Sequence, residues 1–299
     1  MTEYTPKKPL FRGAATALVT PFRDGSPDFE ALGRLIERQI EAGIDALVVT
    51  GTTGEAATLS DRERRDVLRF SAATVKGRVP LIAGTGSPST HTAVRLSCEA
   101  AAAGADGLLV VTPYYNKPTP QGLVAHYREI ARAAEKPVLV YHVPSRTGTH
   151  LSPEDYAALA AIPGIAGIKE AGAPTADVAR TLSLLSRRIP LYAGNDAETL
   201  SHMAMGAEGV VSVVSNLFPR EVAELCRLLD GGKWEEGRRL FFRLLPFATL
   251  LFSESNPIPV KAALSLMGLC SAEVRLPLTE ATEMTKRALQ RALDKWEKE

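Results

Sequence analysis

The sequence predicts a (β/α)8 barrel followed by additional C-terminal helices. Three observations predict it. Eight short runs rich in Val, Ile, Leu and Ala recur along the 299 residues. Each run is nearly continuous in apolar residues, as parallel strands covered on both faces are. The segments between them carry helical apolar spacing and helix-capping residues. A doubly wound open sheet is the competing arrangement, but eight strand–helix units in roughly 220 residues match a closed barrel.

The elements follow in order. AATALV from Ala14 is the first strand. Asp28 to Gly43 then carries Phe29, Leu32, Leu35, Ile36 and Ile40 on one stripe and closes with glycine, which predicts a helix. DALVVT from Asp45 is the second strand. Ser60 and Glu63 make an S-x-x-E capping box for a helix that stops near Gly77. VPLIAG from Val79 and DGLLVVT from Asp106 are the third and fourth strands. A helix from near Gln121 is ended by Pro137. KPVLVY from Lys136 is the fifth strand, and Ser152 with Pro153 gives an N-cap followed by proline at the first helical position. GIAGIK from Gly164, PLYAG from Pro190 and EGVVSV from Glu208 complete the set. The barrel is expected over residues 1–232. Residues 233–299 are helical in pattern beyond the needs of an eighth helix and are assigned to a C-terminal extension.

The composition is 45% hydrophobic and 23% charged, with 35 basic against 34 acidic residues and a net charge of +1. That balance leaves no electrostatic footprint for nucleic acid or an anionic membrane surface. Arg62, Arg64 and Arg65 stand among Asp61, Glu63 and Asp66, which reads as a solvated helix face. No run of about eighteen apolar residues is present, so no membrane span is expected. The stretch MTEYTPKKPLFRG lacks the apolar core of a secretion signal. Cys98, Cys226 and Cys270 lie far apart in helix-like segments. They fit the reduced thiols of a cytoplasmic protein better than a disulfide framework or a zinc site.

In a barrel, chemistry gathers at the C-terminal ends of the strands. This sequence places GTTGE (Gly51–Glu55), TPYYNKP (Thr112–Pro118), YHVPSRTG (Tyr141–Gly148), Lys169–Glu170 and GND (Gly194–Asp196) there. No H-x-H pair or acid cluster suggests a metal, and no phosphate-binding loop or nucleophile elbow is present. No cofactor is expected. His91, His126 and His202 fall in helix-like segments. If Tyr141 points into the barrel, alternation sends His142 outward. AGTGSPST (Ala83–Thr90) lacks dinucleotide spacing and reads as a turn.

What remains is Lys169, ending a short apolar strand where a lone ammonium is expensive to bury. A neutral lysine amine attacks a ketone to give an imine, whose electron withdrawal makes the neighbouring carbon acidic. Burial favours the neutral amine, a tyrosine relays protons, and an arginine forks a carboxylate. Singly, each residue has a structural reading: Lys169 as a snorkelling strand-end lysine, Thr52 and Thr53 as turn caps. Likewise, Tyr114 and Tyr115 read as core aromatics and Arg146 as a solvated loop residue. Their co-occurrence at five strand ends carries the functional reading.

GTTGE, TPYYNKPT, YHVPSRTG, IKEA, AGND and NPIPVKAAL occur in the order found in the dihydrodipicolinate synthase family, now called 4-hydroxy-tetrahydrodipicolinate synthase. The chain resembles that family from about Gly13 to at least Gly268. The family belongs to the pyruvate-dependent class I aldolase superfamily, which also holds N-acetylneuraminate lyase. The resemblance implies that Lys169 captures pyruvate as a Schiff base and that Tyr141 shuttles protons beside it. It implies that Thr53 and Tyr115 complete a relay, with Tyr115 reaching in from a neighbouring subunit of a homotetramer. Thr52 and Thr53 would hold the pyruvate carboxylate, Arg146 would hold the carboxylate of L-aspartate-4-semialdehyde, and the backbone carbonyl of Val211 would line the pocket.

Sialic acid lyase and 2-keto-3-deoxy sugar-acid aldolase are the alternatives within the superfamily, and a non-catalytic sensor is the alternative outside it. Arg146 suits a small second carboxylate better than a sugar hydroxyl. Lys169 and Tyr141, which a sensor could lose, are both present. The resemblance also bears on feedback by lysine. Pro88 and Thr92 stand where lysine-sensitive members offer an asparagine and a glutamate, and Asp61 and Arg64 stand where histidines are expected. Lysine inhibition is therefore expected to be weak or absent, unless a shifted alignment lets His91 or Glu99 serve instead.

Overall fold

Eight parallel strands close into a barrel in a computed structural model that describes residues 9–185 and 189–298. They are β1 (Gly13–Ala17), β2 (Ala46–Val49), β3 (Leu81–Gly84), β4 (Gly107–Val111), β5 (Val138–His142), β6 (Ile165–Glu170), β7 (Leu191–Ala193) and β8 (Gly209–Ser212). Closure comes from β1, which pairs with β2 through Thr16 and Leu47 and with β8 through Ala15 and Val211.

The apolar runs are continuous because successive residues feed two different layers. Val48, Ile82, Leu109, Leu139 and Val211 pack in the barrel interior. Their chain neighbours Leu47, Leu81, Leu108, Val140 and Val210 pack outward beneath the helices. Deleting one of these fully buried leucine side chains would cost about 2–5 kcal/mol through lost burial and the cavity left behind. The lower interior is filled by Phe11 stacked on Tyr192, with ring centroids 4.1 Å apart and the Tyr192 hydroxyl donating to the Phe11 carbonyl at 2.6 Å.

The surrounding helices start where the caps predict. Helix α1 (Phe29–Glu41) is capped by Asp28, which accepts from the Ala31 amide. Helix α2 (Asp61–Val75) carries the full Ser60–Glu63 capping box and ends at Lys76 in the left-handed region. After α3 (Thr90–Ala102), α4 (Pro120–Ala134) begins one residue before Gln121, because Thr119 caps it and Pro120 fits the first turn. It stops at Glu135, short of Pro137. A four-residue helical turn, Pro144–Thr147, follows β5, and α5 (Pro153–Ala160) has its own capping box from Ser152 and Asp155. Helices α6 (Thr175–Leu185), α7 (Thr199–Ala204) and α8 (Pro219–Asp230) complete the ring.

Beyond it lie α9 (Trp234–Leu250), α10 (Ile258–Leu266) and α11 (Glu283–Trp296). Phe218, Phe247 and Trp296 form an aromatic cluster that joins α9 and α11 to the barrel. Among the described residues, no helix is long and apolar enough to cross a membrane.

Two expectations need correction. The arginine cluster of α2 is not uniformly solvated: Arg62 is exposed, but Arg64 falls on the stripe of Val67, Leu68, Ser71 and Val75 that faces the barrel. Its guanidinium donates to the carbonyls of Ala56 (2.7 Å) and Gly84 (3.3 Å). The three cysteines are free, but Cys270 lies just past α10 and not within a helix.

Candidate active site

The adjacent strands β5 and β6 pair Tyr141 with Lys169 and His142 with Glu170. Alternation sends the first pair inward and the second outward. Tyr141 joins the interior cluster, and the Lys169 Nζ lies 4.2 Å from the centre of its ring. Lys169 is only 5% exposed.

The outward pair forms a closed network. The His142 Nδ1 lies 3.0 Å from each Glu170 carboxylate oxygen, and its Nε2 accepts from the Leu151 amide at 3.3 Å. An acceptor at Nε2 places the proton on Nδ1, so His142 is a neutral donor to the carboxylate. The Tyr156 hydroxyl and the Ala173 amide also donate to Glu170. Burial, and then the Glu170 charge, push the Tyr156 phenol well above its ordinary range. Through these bonds Glu170 anchors α5 and the loops after both strands.

The GTTGE loop after β2 is built under backbone strain. Thr50 and Glu55 both adopt left-handed φ values, 51° and 50°. Close approach demands glycine opposite them: a Cβ on Gly84 would sit 2.3 Å from the Thr50 carbonyl. Two anchors hold the loop. Buried Thr53 accepts from the Asn256 Nδ2 at 2.9 Å. Buried Glu55 binds the Lys261 ammonium and accepts from the Arg275 amide at 3.0 Å. Lys261 also donates to the Glu273 carbonyl at 2.7 Å and sits over the Phe22 ring. Burial pushes its pKa down and outweighs the opposing pull of Glu55. Glu55, Asn256 and Lys261 were assigned no role from sequence. The signal was present, since GTTGE and NPIPVKAAL each carry one charge in otherwise uncharged motifs.

A cavity of about 440 Å³ opens at this end, lined by Thr52, Tyr114, Tyr141, Arg146, Asn256 and Pro277 among others. Arg146 is exposed at its rim and donates to the Asn256 carbonyl at 3.2 Å. Lys169 lies behind Tyr141, and Thr53 reaches the lining through Asn256. Val211 is fully buried in the interior cluster. On the β7 loop, Asp196 accepts from the Val213 and Val214 amides and from the Ser212 hydroxyl. Burial raises its pKa against those bonds. Tyr114 is 41% exposed and Tyr115 95% exposed, the latter with φ of 70°. Neither is a core aromatic, and the single chain does not gather Tyr115 with the other candidates.

A larger cavity, about 910 Å³, lies at the opposite end, lined by Leu10 before β1, Ala131 of α4, and Ile162 and Ile165 at the start of β6. It lacks the strand-end polar groups, and that face of a barrel reads as stability and not chemistry. The smaller cavity is therefore the candidate site.

Fold and site together define a class: (β/α)8-barrel enzymes that bury one lysine beside a tyrosine at the top of the strands, the arrangement of Schiff-base lyases and synthases. The dihydrodipicolinate synthetase family model matches residues 10–296, and the chain belongs to that family. A 4-hydroxy-tetrahydrodipicolinate synthase of Geotalea uraniireducens is 47% identical over 277 residues, covering 93% of this chain and 96% of the relative. The solved dihydrodipicolinate synthase of Thermotoga maritima is 42% identical with a TM-score of 0.95, covering 96% of this chain and 99% of that one. The Cyanidioschyzon merolae enzyme, solved with lysine bound, is 39% identical with a TM-score of 0.93 and covers 97% of this chain and 99% of its own.

Proposed function

We propose that this protein catalyses 4-hydroxy-tetrahydrodipicolinate formation from pyruvate and L-aspartate-4-semialdehyde, a step of lysine and diaminopimelate biosynthesis in the cytoplasm. The observation that carries this reading is Lys169, buried and 4.2 Å from the ring of Tyr141, which together with Arg146 lines the cavity.

The Lys169 amine adds to the pyruvate ketone and water leaves, giving an iminium. Thr52 and Thr53 hold the pyruvate carboxylate. Loss of a methyl proton gives the enamine, whose carbon attacks the aldehyde and forms the new C–C bond. The semialdehyde's amine then attacks the imine carbon, closes the ring and releases Lys169. Tyr141, Thr53 and Tyr115 carry the protons, the Val211 carbonyl lines the pocket, and Arg146 holds the second carboxylate. Tyr115 completes the relay of a partner subunit, in a homotetramer built as a dimer of dimers; its near-complete exposure supports that placement. The chain divides near residue 232 into the barrel and the extension.

Lysine feedback is weak or absent in this reading. Arg64 is occupied by the Ala56 and Gly84 carbonyls, and Glu99 by Arg65 and Arg95, so neither is free to pair with a zwitterion. Millimolar L-lysine should leave the steady-state rate unchanged; strong saturable inhibition would overturn this.

The central test is borohydride reduction with pyruvate, which should add a three-carbon adduct to Lys169 in peptide mass mapping. Turnover with aspartate semialdehyde but not N-acetylmannosamine separates the synthase from the lyase reading. Arg146→Ala should raise the KM for aspartate semialdehyde about ten- to a hundred-fold and that for pyruvate little, because a charge-assisted hydrogen bond is lost. Equal effects on both would contradict the assignment.

A further inference from the structure

The structure assigns Asn256, on the segment between α9 and α10, a positioning role: its side-chain amide sets the polarity of the Thr53 hydroxyl. This rests on the proposed relay through Thr53. The two residues are 203 positions apart, and Asn256 is 6% exposed and Thr53 3%. The Asn256 Nδ2 donates to the Thr53 Oγ1 at 2.9 Å.

A threonine hydroxyl has one proton to donate and two lone pairs to accept with. The amide takes one lone pair. That leaves one donor and one acceptor, which is what a proton wire needs: Thr53 gains a proton from one neighbour as it passes its own to the next, with no net change. An amide N–H cannot accept, so the Nδ2 that meets the Thr53 hydroxyl does not take its proton. The backbone of Asn256 has a separate task, because its carbonyl accepts from the Arg146 Nη2 at 3.2 Å. Side-chain replacement therefore disturbs the relay and leaves the Arg146 contact in place.

Asn256→Asp is the discriminating variant. It keeps the shape, but an ionised carboxylate accepts the Thr53 proton and leaves Thr53 with no donor for the relay. Protonating that carboxyl restores a donor. The expected result is a kcat at least about tenfold below wild type at pH 8. The ratio of wild-type to N256D kcat should shrink as pH falls through the introduced carboxyl's pKa. KM for both substrates should stay within about threefold of wild type. Deuterium exchange into the pyruvate methyl group should slow in parallel with kcat, while borohydride still traps pyruvate on Lys169. Asn256→Ala should lower kcat without the recovery at low pH. A trapped N256D variant whose pH profile superimposes on that of wild type overturns this inference alone. A wild type that borohydride cannot trap overturns the proposed function and this inference with it.

Discussion

Two residue pairs at the tips of β5 and β6 differ in everything except register. Tyr141 and Lys169 face the barrel axis; His142 and Glu170, one residue on, face the helices. The outward pair is saturated: Glu170 takes donors from His142, Tyr156 and Ala173, and both His142 nitrogens are engaged. The inward pair meets as an amine over a ring. Strand alternation thus lets a reactive pair and the anchor that fixes its spacing be specified by four consecutive-in-register positions. A fully satisfied polar network specifies one geometry, and the reactive groups inherit it without spending their own hydrogen-bonding capacity.

The comparison can be broken from either side. Lys169→Ala should abolish turnover and the borohydride label while leaving the thermal midpoint at or above that of wild type. A residual label at another lysine would show that the inward pair is not the reactive one. Glu170→Gln should do the converse. Replacing the carboxylate weakens three bonds to it, and the expected loss is about 2–3 kcal/mol of stability, read from the urea midpoint. The label on Lys169 should survive. Loss of label with unchanged stability would reverse the roles given to the two faces.

A pH-dependent effect sharpens the contrast through a second histidine. The His126 Nδ1 meets the Thr90 hydroxyl at 2.9 Å, but its buried Nε2 has no hydrogen-bond partner among the described residues. Burial pushes its pKa down to about 4 from the ordinary 6.5. The unfolded chain therefore binds a proton that the folded chain refuses between those values. Stability attributable to His126 is complete above about pH 6.5 and is lost as pH falls toward 4, by about 3 kcal/mol. His126→Gln should flatten that limb of the pH–stability curve.

Much of this was legible in the sequence. The strands announced themselves because each feeds two apolar layers and so reads as a continuous run. With Tyr141 taken as inward, the outward placement of His142 followed from alternation. What escaped were contacts whose logic is three-dimensional. Asn256 meets Thr53 and Lys261 meets Glu55 across more than two hundred residues, and no local period records such a meeting. Arg64 was misread because its neighbours are charged, although its spacing to Val67, Leu68 and Ser71 marks it as inward. The exposure of Tyr115 was hidden by its apolar ring.

The pairing of Glu55 with Lys261 has a consequence for the order in which the protein becomes itself. A chain is synthesised from its N-terminus, so Glu55 exists 206 residues before its counter-ion does. A carboxylate buried without that partner is strongly destabilised, by about 3–5 kcal/mol. A nascent barrel that buried its GTTGE loop before α10 arrived would carry that cost until Lys261 supplied the ammonium. The last helices act as a completion check: a chain cut short before Lys261 carries every residue of the proposed Schiff-base pair but lacks the clasp that shapes the loop facing it.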